Sequence, residues 1–170
     1  LNRGYQTDRV SRVDMAVDLS AADLDTSDAE TRLKDRGIVI RRAQPSDVEA
    51  AAHMALAHFS DAWRYEVADA IHYAPIPLFI ALQEGRVLGF AAYDVTGPAR
   101  FGPTGTDPAH REQGIGGVLL KLCMRDIRDR GDRVAEIGWA GPLGFYARAV
   151  GARISRAYWC FSKSVAGSVP

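Results

Sequence analysis

The run from His110 to Leu120 combines glycines, one arginine and an apolar helical pattern, and its residue types suit anion binding. It reads His-Arg-Glu-Gln-Gly-Ile-Gly-Gly-Val-Leu-Leu. The glycines predict a tight loop that opens directly into an amphipathic helix. The first backbone N–H groups of such a helix lack intrahelical partners, and the helix dipole adds positive potential there. The segment therefore predicts a site for a pyrophosphate group.

The glycine spacing distinguishes this loop from two other phosphate-binding loops. A dinucleotide fingerprint needs glycine at its first, third and sixth positions, and the sixth position here is Leu119. The Gly-Lys-Ser/Thr of lysine-containing phosphate loops does not occur in the chain. The pattern that remains is Arg-x-x-Gly-x-Gly, from Arg111 to Gly116. It resembles the acyl-CoA loop of the GNAT superfamily of acyl-CoA-dependent N-acetyltransferases, and a helix start without a ligand is the alternative.

Composition narrows the class of protein. The 170 residues suggest one domain or slightly more, and 47% of them are hydrophobic, which is enough for a core. The 21 basic and 21 acidic residues give no sign of a nucleic-acid or membrane-surface partner. Cys123 and Cys160 lack metal-ligand spacing, and we expect no metal site. The absence of a secretory signal or long apolar run favours a cytoplasmic protein.

Hydrophobic spacing predicts strands and helices in a definite order: strand, two helices, three strands, helix, strand, helix, strands. A capping box is expected at Ser46 and Glu49. Trp63, Val67 and Ile71 are expected to share the core-facing side of the second helix. The predicted strands are 38–41, 78–82, 87–95, 100–106, 134–139 and one or two within 154–163. The third helix is expected directly after the glycine loop, and a short fourth helix is expected to begin at Gly141-Pro142.

This order resembles the GNAT fold, with the glycine loop after the fourth strand. The resemblance implies an α/β protein with a mixed central sheet of about six to seven strands and about four flanking helices. Its fourth and fifth strands would be splayed apart. The GNAT domain would cover residues 38–165, and residues 1–37 would form an N-terminal extension.

The extension contains a short echo of the C-terminal part. Arg9-Val10-Ser11-Arg12-Val13 resembles Arg153-Ile154-Ser155-Arg156-Ala157, about one GNAT domain later. One interpretation is that residues 1–22 are the last strands of a preceding GNAT-like domain, followed by a linker. The other is chance similarity, and both stay open.

The resemblance also implies binding residues for acetyl-CoA, the expected co-substrate. An oxyanion donor would be a backbone N–H within residues 105–107. The predicted acceptor is a primary amine of a small molecule or peptide, framed by aromatic and polar side chains. The residues predicted to bind acetyl-CoA are Thr106, Arg111, Gln113, Gly114, Ile115, Gly116 and Gly117; the acceptor candidates are Trp63 and Tyr73, with Tyr65, His72 and Tyr158 as further ones.

Two side chains are predicted to move protons. Tyr146 matches the family's frequent general acid for the leaving thiolate, and a tyrosine holds its proton at neutral pH. Glu136 is the predicted base, with Asp107 and His110 as alternatives. The chain departs from the family pattern at Trp139, where many relatives have an asparagine that contacts pantetheine, and at Gly151, one position later than the usual glycine.

The sequence thus predicts an acetyl-CoA-dependent N-acetyltransferase in which the amine attacks the thioester directly. A non-catalytic GNAT-like module that binds acyl-CoA or acts as a scaffold is the main alternative. A nucleotide-binding protein using the same loop is another. A homodimer through an unpaired terminal strand is a further expectation.

Overall fold

A seven-stranded mixed sheet and five α-helices make up most of the computed structural model, which describes residues 5–7 and 12–163. In space the sheet strands follow the order β3-β4-β5-β6-β7-β2-β8, and β1 pairs with β9 separately. The strands are β1 (Gln6–Thr7), β2 (Arg12–Asp18), β3 (Val39–Arg42), β4 (Leu78–Gln83), β5 (Arg86–Tyr93), β6 (Arg100–Thr106), β7 (Val134–Ile137), β8 (Arg153–Tyr158) and β9 (Phe161–Ser162). The helices are α1 (Ser27–Lys34), α2 (Pro45–His58), α3 (Asp61–Asp69), α4 (Ile115–Asp129) and α5 (Leu143–Val150).

The sheet separates two hydrophobic cores. One core lies between the sheet and α1, α4 and α5, and the other lies between the sheet and α2 and α3. In α4 the apolar residues Ile115, Val118, Leu119 and Ile127 are all buried, and Leu122 packs partly buried against the same core. The apolar stripe of α4 thus fixes the helix across the sheet and places its first turn at the end of β6.

Two local predictions on the α2–α3 side were wrong. The capping box joins Gln44 and Asp47 rather than Ser46 and Glu49, because Pro45 occupies the first helical turn, where its missing N–H costs nothing. Ile71 is 45% exposed because α3 ends at Asp69 and a short 3₁₀ turn over Ala70–His72 changes the helical phase.

The N-terminal segment contributes an interior strand of the sheet. β2 lies between β7 and β8 and runs antiparallel to both. Met15 and Val17 point into the core beneath α4 and are 2% and 0% exposed. The predicted extension over residues 1–37 therefore includes part of the domain's own sheet. Residues 1–4 and 8–11, where part of the sequence echo falls, lie outside the described residues.

The predicted fourth and fifth strands correspond to β6 and β7, and they diverge. The two strands run parallel and pair only at Arg100 with Glu136 and at Phe101 with Ile137. β6 continues along β5 as far as Thr106. The chain after Ile137 continues instead along β2, its other neighbour, and the Ala140 N–H donates to the Val13 carbonyl at 2.8 Å. A gap therefore opens between β6 and the segment that follows β7.

A matched pair of valine truncations tests whether β2 is integral to the fold. Val17→Ala removes two methyl groups from a fully buried site and should lower the free energy of unfolding by about 2 kcal/mol. Val134→Ala, on the neighbouring strand but 55% exposed, should change it by less than about 0.5 kcal/mol. Urea unfolding of both variants measures this difference. Equal small effects would show that β2 does not pack as described.

Candidate active site

The glycine loop leaves the amides at the start of α4 unpaired. Gly114 is the N-cap residue in a left-handed conformation (φ 92°), and no side chain caps the helix. The first described bond in the helix runs from the Val118 N–H to the Gly114 carbonyl at 3.2 Å. The N–H groups from Gln113 to Gly117 donate to no described residue. Five amides therefore converge at the positive end of the helix dipole.

The space in front of these amides is open. A Cβ atom added at Gly114 or Gly117 would meet no atom within 4 Å. At Gly116 it would lie 3.7 Å from Oγ1 of Thr106 and 3.8 Å from the Phe145 ring. The structure thus brings Thr106 and the glycine loop together, beside α5. The Arg111 side chain is exposed next to the same loop.

One amide within residues 105–107 is directed toward the gap between β6 and β7. The Asp107 N–H is already used, because it donates to the Leu88 carbonyl of β5 at 2.8 Å. Alternate residues of an antiparallel strand direct their amides to the same neighbour, so Gly105 also faces β5. Thr106 therefore faces the gap, and so does Thr104, which the sequence prediction did not include. Only the observed register distinguishes these amides.

Tyr146 lies at the point where the gap begins. Its ring packs edge-on against Phe101, with ring centres 6.2 Å apart, and Phe101 belongs to the last paired position of β6 and β7. Tyr146 is 6% exposed, and burial raises the pKa of its phenol to about 12. Its hydroxyl forms no hydrogen bond with a described residue. The hydroxyl oxygen is not fully buried either, so it keeps some exposed surface. Tyr146 is therefore a protonated donor without a protein partner.

Glu136 lies on the opposite face of the sheet from Tyr146. Its strand neighbours Ala135 and Ile137 point into the core that contains Tyr146, so Glu136 points the other way. One carboxylate oxygen accepts from Arg156 at 3.1 Å, and the other lies 3.4 Å from Arg100. Both oxygens of Glu136 therefore lie beside guanidinium groups.

The alternative bases, Asp107 and His110, form a structural turn. Asp107 is 3% exposed and accepts from the Ala109 amide at 2.9 Å and from Arg86 at 2.7 Å. The Ala109 bond is the main cause that lowers the pKa of Asp107. Nδ1 of His110 is buried 3.5 Å from this carboxylate. Asp107 thus caps the turn that leads into the glycine loop, which makes it a weak base.

The two main acceptor candidates lie apart. Trp63 stacks on Phe59 with ring centres 5.0 Å apart, and the Phe59 ring covers Gly105 of β6 where a side chain would otherwise lie. Phe59 therefore separates Trp63 from β6. Tyr73 lines a shallow depression of about 480 Å³ with Arg130, beyond the C-terminal end of α4. Since α4 is about 22 Å long at 1.5 Å per residue, Tyr73 does not join the glycine loop.

The sequence prediction missed a polar cluster on the Glu136 face, centred on Asp14 of β2. Asp14 is 0% exposed and accepts from the Trp139 amide at 2.8 Å and from the Tyr158 hydroxyl at 2.8 Å. Arg100 adds a contact at 3.4 Å. Burial raises the pKa of Asp14, but these hydrogen bonds lower it more, so the net direction is downward. A charged residue inside an otherwise apolar strand was the available signal.

The alkaline limb of stability tests the surroundings of Tyr146. Tyrosine ionises near 10 when unfolded, so the folded protein retains a proton that the unfolded chain releases. This contribution is complete below pH 10 and is lost as the pH rises to about 12. Tyr146→Phe should therefore reduce the loss of unfolding free energy over this range by about 2 to 3 kcal/mol. Denaturant titrations at each pH measure it, with the exposed Tyr65→Phe as control; identical slopes would contradict the burial.

Comparison with known proteins identifies the family. The family model described as the acetyltransferase (GNAT) family matches residues 44–151, which include α2, α3, the glycine loop, α4 and α5. No curated protein matches the sequence. Within the described residues there is no helix long and apolar enough to cross a membrane. The same residues contain no group of three or more His, Cys, Asp or Glu side chains placed to hold a metal ion.

Solved structures share the fold at low identity. A GCN5-related glucosamine N-acetyltransferase region of a fungal multi-domain GH3 β-N-acetylglucosaminidase matches with a TM-score of 0.75 and 18% identity, over 93% of this chain and 21% of that one. A GCN5-related N-acetyltransferase from Kribbella flavida gives 0.68 and 17%, over 97% and 62% of the two chains. One from Sphaerobacter thermophilus gives 0.65 and 20%, over 93% and 52%.

The chain therefore spans only part of these relatives, from about a fifth to three fifths of their lengths. At such identities the structural matches establish the fold and nothing finer. The family model covers more than half of the chain and includes the loop, the gap and Tyr146. On these grounds, the chain belongs to the GNAT family of acetyltransferases.

Proposed function

We propose that this protein transfers an acetyl group from acetyl-CoA to a primary amine of a small molecule or peptide, by direct attack of the amine. The observation that carries the proposal is the row of five unpaired amides, Gln113 to Gly117, next to the gap between β6 and β7. A helix start with this geometry binds a pyrophosphate, and the adjoining gap leads from it to Tyr146.

The glycine loop would hold the pyrophosphate of acetyl-CoA through main-chain N–H groups. Gly114 and Gly117 leave open space, so an anion can approach without meeting a Cβ atom. Ile115 is buried and anchors this turn to the core, while its N–H group stays available. Arg111 would add positive charge from the exposed side of the loop.

The thioester would lie in the gap, beside β6. The Thr106 amide, and Thr104 by the same alternation, face this space. A fixed N–H donor aimed at the carbonyl oxygen stabilises the negative charge that develops there, and such a donor contributes about 3 kcal/mol. Protein dipoles that are already oriented need no rearrangement during the reaction.

The proton transfers would take place on opposite faces of the sheet. The amine nitrogen bonds to the carbonyl carbon, the carbon–sulfur bond breaks, and the thiolate takes the proton of Tyr146. The proton lost by the amine would pass to Glu136 through water, and the Tyr146 phenolate would regain a proton from solvent before the next turnover. Cys123 is not a candidate for a covalent intermediate, because it is fully buried and burial raises its pKa.

The acceptor would approach from the α3 side. Trp63 is the stronger of the two acceptor candidates, because the Phe59 ring connects it to Gly105 of β6. Tyr73 would contact only an acceptor long enough to reach the depression beside Arg130. A homodimer and a cytoplasmic location remain predictions.

A non-catalytic acyl-CoA-binding module is the second candidate. It is favoured by Trp139, which is 67% exposed and stands where the resemblance leads us to expect asparagine. Turnover separates the two functions: a module would bind acetyl-CoA and release no CoA thiol with any primary amine.

A charge placed in the glycine loop tests acetyl-CoA binding. In Gly117→Asp the new carboxylate would enter open space, suit the helix dipole, and repel a bound pyrophosphate. We expect affinity for acetyl-CoA to fall at least about tenfold, equivalent to about 1.4 kcal/mol. Gly117→Ala, which adds only a methyl group, should stay within roughly threefold of the parent. Calorimetry measures both, and equal affinities would exclude this loop as the binding site.

Replacement of Tyr146 by Phe tests its role as acid. The variant keeps the ring and its packing against Phe101, so acetyl-CoA affinity should stay close to that of the parent. Turnover should fall by about 10² to 10⁴, the usual contribution of a general acid. CoA thiol release is measured with the best acceptor from a panel of polyamines, amino acids, amino sugars and peptides. Unchanged turnover would remove Tyr146 from the mechanism.

A further inference from the structure

We propose that Asp14 is a positioning residue that holds the gap between β6 and β7 open, and thereby sets the affinity for acetyl-CoA. Asp14 belongs to the N-terminal strand β2, outside the residues 44–151 that match the family model. The proposal rests on the proposed function for its link to acetyl-CoA, but its structural half can be measured without a ligand.

The Asp14 side chain binds the chain where β7 leaves β6. Its Oδ1 accepts from the Trp139 N–H at 2.8 Å, two residues after the last pair between β6 and β7. The next amide, that of Ala140, donates to the Val13 carbonyl at 2.8 Å. These two successive bonds extend the pairing of β7 with β2 past Ile137, where the pairing with β6 has ended.

The conformation held by this bond is an unfavourable one. Trp139 has φ 45°, in the left-handed region that residues with a side chain rarely adopt. Such a backbone persists only where neighbouring interactions fix it. The pairing of β2 with β8 also shifts register between Asp14 and Met15, so the strand is locally distorted at the same residue.

The second oxygen of Asp14 contacts side chains of β6 and β8. Oδ2 accepts from the Tyr158 hydroxyl at 2.8 Å and lies 3.4 Å from Arg100 of β6. The same arginine lies 3.4 Å from Glu136 and covers the face of Gly138. One carboxylate therefore joins β2, β6, β8 and the start of the divergent segment. Because Asp14 is 0% exposed, its removal leaves the Trp139 amide and the Tyr158 hydroxyl without this acceptor inside the fold.

Substitutions at Asp14 and two controls on β2 test the proposal. Asp14→Ala removes every bond, while Asp14→Asn keeps an acceptor for the Trp139 amide and loses the charge. Asp18→Asn makes the same charge change at an exposed position of the strand. Val17→Ala lowers overall stability from the opposite face of β2. Affinity for acetyl-CoA by calorimetry and hydrogen exchange of the Trp139 and Ala140 amides by NMR are the two readouts.

We expect Asp14→Ala to weaken acetyl-CoA binding at least about tenfold and to speed exchange of both amides by a similar factor. Asp14→Asn should recover much of the Trp139 protection and part of the affinity. Both controls should bind acetyl-CoA like the parent, which separates positioning from loss of stability. Parent-like affinity and protection in Asp14→Ala would overturn the proposal, as would equal loss of affinity in Val17→Ala.

The two readouts also separate this proposal from the proposed function. If the parent itself does not bind acetyl-CoA, the proposed function fails. Amide exchange in the ligand-free protein then still decides whether Asp14 holds the gap: rapid exchange of Trp139 in Asp14→Ala supports the structural half, and unchanged exchange refutes it.

Discussion

The candidate site depends on the loss of pairing between β6 and β7 after Ile137, while the chain stays bonded to β2. Two parallel strands that paired along their whole length would leave no space between them. Here only two positions pair, and the following amides bond to the backbone of Val13 and the side chain of Asp14. The resulting gap passes through the sheet and is bordered by the free N-terminus of α4. In the proposed function, this one divergence provides the space in which a long ligand would cross the sheet.

The two side chains proposed as acid and base lie on opposite faces of the sheet. Tyr146 lies among aromatic rings on one face, where burial keeps its phenol protonated. Glu136 lies on the other face, between Arg100 and Arg156. Alternate residues of a strand point to opposite faces, so Glu136 of β7 points away from the face on which Ala135 and Ile137 lie. Tyr146 of α5 packs on that second face. A substrate that spans the gap would meet both groups.

Local sequence signals were sufficient for much of the fold. The amphipathic character of α4, the two strands β4 and β5, and the limits of β6 were all predicted, because hydrophobic spacing and turn residues determine them. The glycine loop was found because backbone N–H groups at a helix start need no particular side chain. The predicted capping box was wrong because Pro45 begins the helix and makes Gln44 its N-cap. The predicted burial of Ile71 was wrong because a 3₁₀ turn changes the helical phase there.

Features that depend on long-range pairing could not be predicted from one sequence. The role of β2 depends on contacts between residues more than a hundred positions apart, such as those of Asp14 with Trp139 and Tyr158. The direction of the Thr106 amide depends on register with β5, which no residue type reveals. Glu136 was recognisable as a carboxylate in a strand, but its two arginine partners come from other strands.

The central claim is that the free amides at the start of α4 and the gap beside β6 form one continuous binding site. An NMR titration of the ¹⁵N-labelled protein with CoA tests it most directly. The account predicts saturable shifts of the amides of Gly114, Gly116 and Thr106 together, with the Asp107 amide little changed. Shifts confined to the depression around Tyr73 and Arg130, or none at millimolar CoA, would contradict it.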